Sequence, residues 1–240
     1  MRSLLFHRET SFARSSESRG KVPLAPLWKD YLRFPQISLP KGRNPETSLQ
    51  DTLRLRKGTL DFRGSHSPSL QDIASLLSLS ARARTGEEEV DRNRRPYPSG
   101  GGFYPLEIYL AAEDAGGRSG IFHYAPERHV LEHLFPNDEG KKMFEGVRES
   151  FADPWKVDVP LYILISAVWR RTMQRYGEFG YRLVLMETGH LAQNMALAAA
   201  ALRLRQRQSS AVDAEETGAL LGLEEDEETV LYAIALGKES

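Results

Sequence analysis

Cysteine is absent from the 240 residues of this chain. Its absence excludes a disulfide framework, thiolate catalysis and zinc sites built on cysteine. An excess of either charge is also missing, since 32 basic residues face 33 acidic ones and the net charge is −1. We therefore expect no nucleic-acid partner, which usually requires a strongly basic face. No run approaches the about 18 apolar residues of a membrane span, which predicts a soluble, cytoplasmic protein without a membrane partner.

The remaining composition suits a large folded body. Hydrophobic residues make up 40% of the chain, which is enough for a sizeable core. Residues 1–48 are rich in Pro, Ser, Arg and Lys with scattered aromatics, which predicts an extended arm packed on the body. The body covers 49–240. Its hairpins and helices are segregated along the chain, which favours an α+β fold over a doubly wound sheet.

Hydrophobic periodicity predicts the elements of the body. A helix over 70–79 begins after Ser69, with Asp72 completing a capping box. The later elements are a half-buried strand at 106–110, two short strands around Pro126, a helix at 137–151, an apolar strand at 159–169, a long helix at 181–205, a short helix at 214–221 and a strand at 229–236. The long helix is apolar on nearly all sides, so it must be covered in a core or a subunit interface.

Three consecutive glycines follow a Pro-Ser pair in the stretch RRPYPSGGGFYPLEIYL, residues 94–110. One interpretation is a tight turn that leads into a strand. The other is that Pro98, Ser99, Gly100 and Gly101 let the main chain touch a flat ligand face-on. The stretch is neither a Walker loop nor a dinucleotide fingerprint, because no Gly-Lys-Ser/Thr follows and the glycines precede a strand.

Arg54, Arg56 and Lys57 form a compact cationic group in LRLRKGTLDF. The group is either a surface charge cluster or a phosphate clamp. Guanidinium groups match phosphate oxygens two at a time, and a neighbouring lysine adds a point charge.

An Arg-Tyr pair occurs in QRYGEFGYRLVLMETGH, in a predicted loop between the apolar strand and the long helix. The glycines there could simply set turns. As chemistry, Tyr176 beside Arg175 is a candidate general base, because an adjacent cation lowers the pKa of a phenol from its usual value of about 10.

Other polar features carry weaker signals. His129 and His133 are four residues apart but fall in a predicted strand and turn, so we expect no metal site. The acidic run 224–228 is typical of a solvated loop.

These stretches together resemble the SagB-type dehydrogenases, nitroreductase-like flavoproteins that oxidise thiazolines and oxazolines in ribosomally made peptides. LLFHRETS is similar to the family's Tyr-His-Glu-x-Thr opening, and WKDYLRFPQISLP to its Lys-x-Tyr…Ile-x-Leu-Pro arm. RKGTLDF occupies the place of the Arg-Arg-Ser-x-Arg-x-Phe flavin-phosphate motif. RPYPSGGGFYPLEIYL and RYGEFGYRLVLMETGHLAQNM resemble the family's Pro-Ser-Gly-Gly and Lys-Tyr-Gly…Glu-x-Gly-His blocks.

The resemblance implies a nitroreductase-like α+β fold, with FMN bound at the interface of an intertwined homodimer. Cofactor-binding residues would be Arg54, Arg56, Lys57 and Gly58 at the phosphate, and Pro98, Ser99, Gly100 and Gly101 at the ring. Tyr176 and Arg175 would be catalytic, with Tyr176 removing the ring α-proton while hydride passes to flavin N5. The substrate would be a peptide or a similar small molecule.

Several positions depart from the family pattern. Its catalytic lysine becomes Arg175, and its phosphate motif loses a serine at Gly58 and a basic residue at Leu60. Its Gly-x-Gly-x-x-Pro-x-Gly stretch becomes RLRQRQSSAV, in which two arginines replace glycines. The alternative to an enzyme is therefore a degenerate subunit that acts as a scaffold or partner in a modification complex.

Overall fold

The computed structural model describes residues 5, 6, 8, 10, 11, 28–84, 94–152, 156 and 158–239. His7 and Glu9 of the opening motif, and the 12–27 part of the arm, lie outside the described residues.

Within these ranges, seven strands form one sheet. The strands are β1 (Gln36–Ser38), β2 (Leu106–Ala112), β3 (Gly120–Ala125), β4 (Val130–Phe135), β5 (Leu161–Val168), β6 (Arg205–Ser209) and β7 (Glu228–Gly237). Their order is β1-β4-β3-β2-β5-β7-β6, and each neighbouring pair is antiparallel. The sheet confirms the predicted α+β class, because no parallel βαβ unit builds it.

Helices cover both faces of the sheet. They are α1 (Leu49–Leu55), α2 (Leu70–Ser80), α3 (Asn137–Glu149), α4 (Trp169–Tyr176), α5 (Glu178–Ala201) and α6 (Ala214–Leu221). Helices α2 and α5 pack on one face, and α3 and α6 pack on the other. The sheet therefore lies between two apolar layers.

Strand β2 is buried on both faces because helices pack on both sides of the sheet. Leu106, Ile108 and Leu110 face the α2 and α5 layer, while Tyr109 and Ala111 face the α3 layer. Every residue of β2 is buried, so the prediction of a half-buried strand was wrong. The apolar residues at every second position had indicated a second face in contact with water, but α3 packs on that face.

Helix α2 begins as its sequence predicts. The Ser69 hydroxyl accepts the backbone N–H of Asp72, and the Asp72 carboxylate accepts the backbone N–H of Ser69. This reciprocal capping box satisfies two N–H groups that have no partner within the helix.

The region around the long helix differs from its prediction. Residues 169–176 form α4, where the end of the apolar strand and a loop were predicted, because the sequence WRRTMQRY is short and mostly polar. Helix α5 ends at Ala201 and not at 205. Arg203 follows with φ +59°, and Arg205 begins β6. Arg205 and Arg207 are therefore strand residues.

The described part of the arm lies on the sheet. Strand β1 pairs with β4, and the backbone N–H groups of Lys29 and Tyr31 donate to Glu107 (3.1 Å) and Glu132 (2.9 Å). Those two carboxylates also hold both ring nitrogens of His123, at 2.9 and 2.7 Å. Although burial lowers it, the two carboxylates raise the pKa of His123 above its ordinary value.

The acidic run 224–228 is solvated only in part. Residues 224–227 are exposed, but Glu228 is buried. Its carboxylate accepts hydrogen bonds from Ser166 (2.6 Å) and Tyr109 (3.1 Å) and forms an ion pair with Lys29. The last acidic residue of the run therefore belongs to the interior, because β7 begins there.

Candidate functional site

The glycine run forms a tight corner in front of β2. Gly100–Gly102 make one turn of 3₁₀ helix, and the Gly102 N–H donates to the Ser99 carbonyl oxygen (3.1 Å). The Ser99 hydroxyl accepts the backbone N–H of Tyr104 (2.9 Å). Gly101 and Gly102 have φ +68° and +71°, a conformation that residues with a Cβ rarely adopt.

The corner contacts the start of α5 and the end of α4. A Cβ on Gly101 would lie 2.8 Å from the Tyr176 hydroxyl oxygen and 2.7 Å from the Phe103 ring. A Cβ on Gly100 would lie 3.0 Å from Leu183. The glycines therefore allow a close approach as well as a turn, and two of the predicted site groups, the corner and Tyr176, meet here.

Tyr176 is the last residue of α4. Its ring is half-buried and contacts the rings of Phe103 and Phe179, with centroids 6.1 and 6.5 Å away. Arg175 precedes it and is exposed. The pair thus lies at a helix end, where Gly177 (φ +57°) redirects the chain into α5.

Sequence reasoning missed Glu187, a buried acid of α5 beside the corner. Its exposed fraction is 2%, and neither carboxylate oxygen has a hydrogen-bond partner among the described residues. Burial raises the pKa of Glu187 to about 7, against the opposing effects of the nearby Ser99 hydroxyl, Arg95 and the Gly100 N–H. A signal was present, because Glu187 interrupts the apolar stretch LVLM of a helix expected to be covered all round.

The predicted cationic group lies elsewhere on the chain. Arg54 is exposed and faces Asp51 at 3.8 Å on the same helix. Arg56 and Lys57 are exposed beyond the end of α1, and Gly58 lies beside β6. No contact that the structure describes joins this group to the glycine corner.

Both groups nevertheless border α5. The corner meets the helix at Leu183, while β6 is held to it by a hydrogen bond from Gln208 to the Ala192 carbonyl oxygen (2.7 Å). Nine residues of helix separate these two points, or about 13 Å at 1.5 Å per residue. A ligand that touches both groups must be extended, or must lie between two protomers.

The donor set is chemically compatible with a planar ligand that carries a phosphate. The corner offers bare backbone and an unpartnered buried carboxyl group at Glu187. The cationic group offers Arg56 and Lys57, and beside it the Nε of Arg207 is buried without a hydrogen-bond partner among the described residues. Buried polar groups rarely lack partners, so both positions fit groups that a ligand completes.

A family model named Nitroreductase family matches residues 61–238, which is most of the body. The chain belongs to the nitroreductase family. The α+β fold with its antiparallel sheet and flanking helices is the fold that this membership implies, and the predicted nitroreductase-like fold is confirmed.

Two curated proteins and one solved structure place this nitroreductase-family chain more closely. It is 32% identical over 161 residues to the putative nitroreductase MJ1384 of Methanocaldococcus jannaschii, covering 66% of this chain and 76% of that protein. It is 31% identical over 160 residues to the microcin B17-processing protein McbC of Escherichia coli, covering 64% of this chain and 56% of McbC. In the E. coli microcin synthetase McbBCD complex with truncated pro-MccB17 bound, a chain matches with a TM-score of 0.63 at 22% identity, covering 99% of this chain and 92% of that one.

The similarity to McbC confirms the resemblance to SagB-type, nitroreductase-like proteins. Among the described residues, no helix is long and apolar enough to cross a membrane.

Proposed function

We propose that this chain is an FMN-dependent oxidoreductase, a SagB-type dehydrogenase that oxidises azoline rings in peptides or a similar small substrate. The observation that carries the proposal is the meeting of the Pro-Ser-Gly-Gly corner with the Tyr176 hydroxyl across Gly101. Bare backbone, a phenol and the buried acid Glu187 are within one small region. That combination suits proton removal beside a flat ring system.

Tyr176 is the proposed base. Oxidation of an azoline to an azole removes one proton and one hydride from the ring, so the protein must supply a proton acceptor. Bound FMN would supply the hydride acceptor, which no side chain provides. Tyr176 is half-buried, with Phe103 and Phe179 fixing its ring, so its hydroxyl points at the corner with little freedom to leave it. Arg175, the second proposed catalytic residue, precedes Tyr176 at the end of α4 and is exposed.

The phosphate end of FMN is assigned to Arg56 and Lys57. Neither forms an ion pair within the described part of the chain, so both charges are available to an anion. Gly58 keeps the backbone beside them free of side chains. Arg54, which faces Asp51, contributes less because its charge already has a partner.

A homodimer with FMN at its interface is part of the proposal. Large apolar side chains remain exposed on α5 and α1, including Met186 (51%) and Leu49 (71%). Exposed apolar patches of this kind mark interfaces. A second protomer would cover them and could bring its own corner to the first protomer's cationic group.

The alternative proposal is a degenerate subunit that acts as a scaffold or partner in a modification complex. Arg203 favours it, because a non-glycine residue occupies a left-handed conformation (φ +59°) in the stretch where the family pattern has glycines. The structural similarity to a chain of the McbBCD complex with a bound peptide is consistent with either role.

Replacing Tyr176 by Phe tests the enzyme proposal. The variant should retain the same amount of FMN as the wild type and lose azoline oxidation, measured as the mass loss of two hydrogens from a peptide thiazoline. Tyr232→Phe, which removes a phenol hydroxyl from β7 and not from the corner, is the matched control and should keep most of the activity. Undiminished oxidation by Tyr176→Phe would reject the role of Tyr176. FMN-free wild-type protein that fails to take up added FMN would support the degenerate subunit.

A further inference from the structure

Strand β6 places Arg207 beside the cationic group. The Thr59 N–H donates to the carbonyl oxygen of Gln206 (2.8 Å), and the Gln206 side-chain amide donates to the Lys57 carbonyl oxygen (2.7 Å). Between these two bonds lies Gly58. A Cβ at Gly58 would be 3.5 Å from Nη1 of Arg207 and 3.6 Å from its Cδ, so the guanidinium lies against the backbone there.

Arg207 differs from Arg205, which lies two residues earlier and points to the same side of the strand. Arg205 donates to Glu239 (2.8 Å) and to two backbone carbonyl oxygens of the 61–63 turn (3.2 and 3.1 Å). For Arg207, no ion pair occurs within the described residues, and its buried Nε lacks an acceptor there. A buried N–H without an acceptor is unfavourable, so the arrangement is one that a ligand would complete.

The surroundings of Arg207 suit an anion. Arg56 and Lys57 add two further positive charges, and neither is neutralised by a carboxylate of the described chain. Asp61, the acid that follows them in the sequence, is engaged by Arg63 at 2.9 Å. Three cations without acidic partners thus border one stretch of backbone that carries no side chain at Gly58.

We propose that Arg207 is a phosphate-binding residue for FMN, acting with Arg56 and Lys57. Its guanidinium group donates to phosphate oxygens two at a time. Gly58 has no side chain, so it cannot supply a side-chain contact to the phosphate itself. The inference rests on the proposed function, because it assigns a further residue to the same cofactor site.

The test compares FMN with riboflavin, which has the same ring and ribityl chain without the phosphate. Apoprotein is titrated with each flavin, and binding is followed by the change in flavin fluorescence. Arg207→Ala should weaken FMN binding about ten- to a hundredfold and leave riboflavin binding unchanged. Arg207→Lys keeps the charge but not the planar guanidinium group, so its FMN affinity should lie between those of the wild type and Arg207→Ala.

Arg203→Ala removes the same charge from an exposed position and is the matched control, with no expected change in the binding of either flavin. Circular dichroism and thermal melting report whether each variant folds.

The outcomes separate this inference from the proposed function. If the wild type prefers FMN to riboflavin and Arg207→Ala keeps that preference, the assignment of Arg207 is overturned and the proposed function stands. An equal loss for both flavins, or the same loss in Arg203→Ala, also overturns the assignment. If the wild type binds neither flavin, both the proposed function and this inference are overturned.

Discussion

Glu187→Gln should change how the stability of the protein depends on pH. The folded-state pKa of Glu187 is about 7, compared with an ordinary 4.5, because burial disfavours its charge. The folded state therefore holds a proton that the unfolded chain releases, and stability falls as pH rises from 4.5 to about 7. A difference of about 2.5 pH units at 1.36 kcal/mol each gives about 3 kcal/mol. Glutamine has the same shape without the charge, so it removes this loss.

Urea denaturation of the apoprotein at pH 4.5 and pH 8 measures the effect. The stability of Glu187→Gln relative to wild type should increase by about 3 kcal/mol between the two pH values. Glu178→Gln, an exposed acid of the same helix, should show no such increase. A constant difference between Glu187→Gln and the wild type across this range would refute the reasoning, because it would mean that Glu187 titrates as in water.

Two further perturbations test the corner and the interior. Gly101→Ala places a Cβ against the Tyr176 hydroxyl and the Phe103 ring. Gly117 has a similar φ (+82°) but open space around it, so Gly117→Ala is the control. In parallel urea titrations, Gly101→Ala should lower the free energy of unfolding by about 1–3 kcal/mol more than Gly117→Ala does. His123→Gln should destabilise the protein by about 3 kcal/mol at pH 5.5, because the imidazolium holds two buried carboxylates. Since the pKa of His123 is raised in the folded state, that stabilisation is complete below the unfolded pKa of about 6.5 and disappears as pH rises through the folded pKa. If His123→Gln lowered the free energy of unfolding equally at pH 5.5 and pH 9, this reasoning would be contradicted.

The sequence predicts elements well where local chemistry and hydrophobic pattern agree. Ser69 and Asp72 mark the start of α2 by their own side-chain hydrogen bonds, which need no tertiary context. The apolar run of β5 likewise has a single interpretation. The sequence does not predict an element whose conformation depends on tertiary packing. Helix α4 is such an element: it is polar, and its buried Arg171 forms an ion pair with Glu107 of the sheet (2.5 Å). The end of α5 was predicted four residues too late, because Arg203 has the left-handed conformation that usually marks a helix end by a glycine.

The candidate site shows the same division. The glycine corner and Tyr176 stand out in the sequence, and the structure brings them together across Gly101. The sequence did not mark Glu187 and Arg207 as site residues, because what distinguishes them is the absence of a hydrogen-bond partner for a buried polar atom among the described residues. No sequence pattern records a missing partner. The pairing of Gly58 with Arg207 also depends on β6 lying beside residues 57–59, a contact between segments about 150 residues apart.

The visible absorption spectrum of the purified protein tests the central claim most directly. After incubation with FMN and removal of free ligand, the protein should keep the absorption bands of a bound flavin and release FMN on denaturation. Colourless protein after that treatment, with an intact fold by circular dichroism, would contradict the assignment of the corner and the cationic group to a flavin.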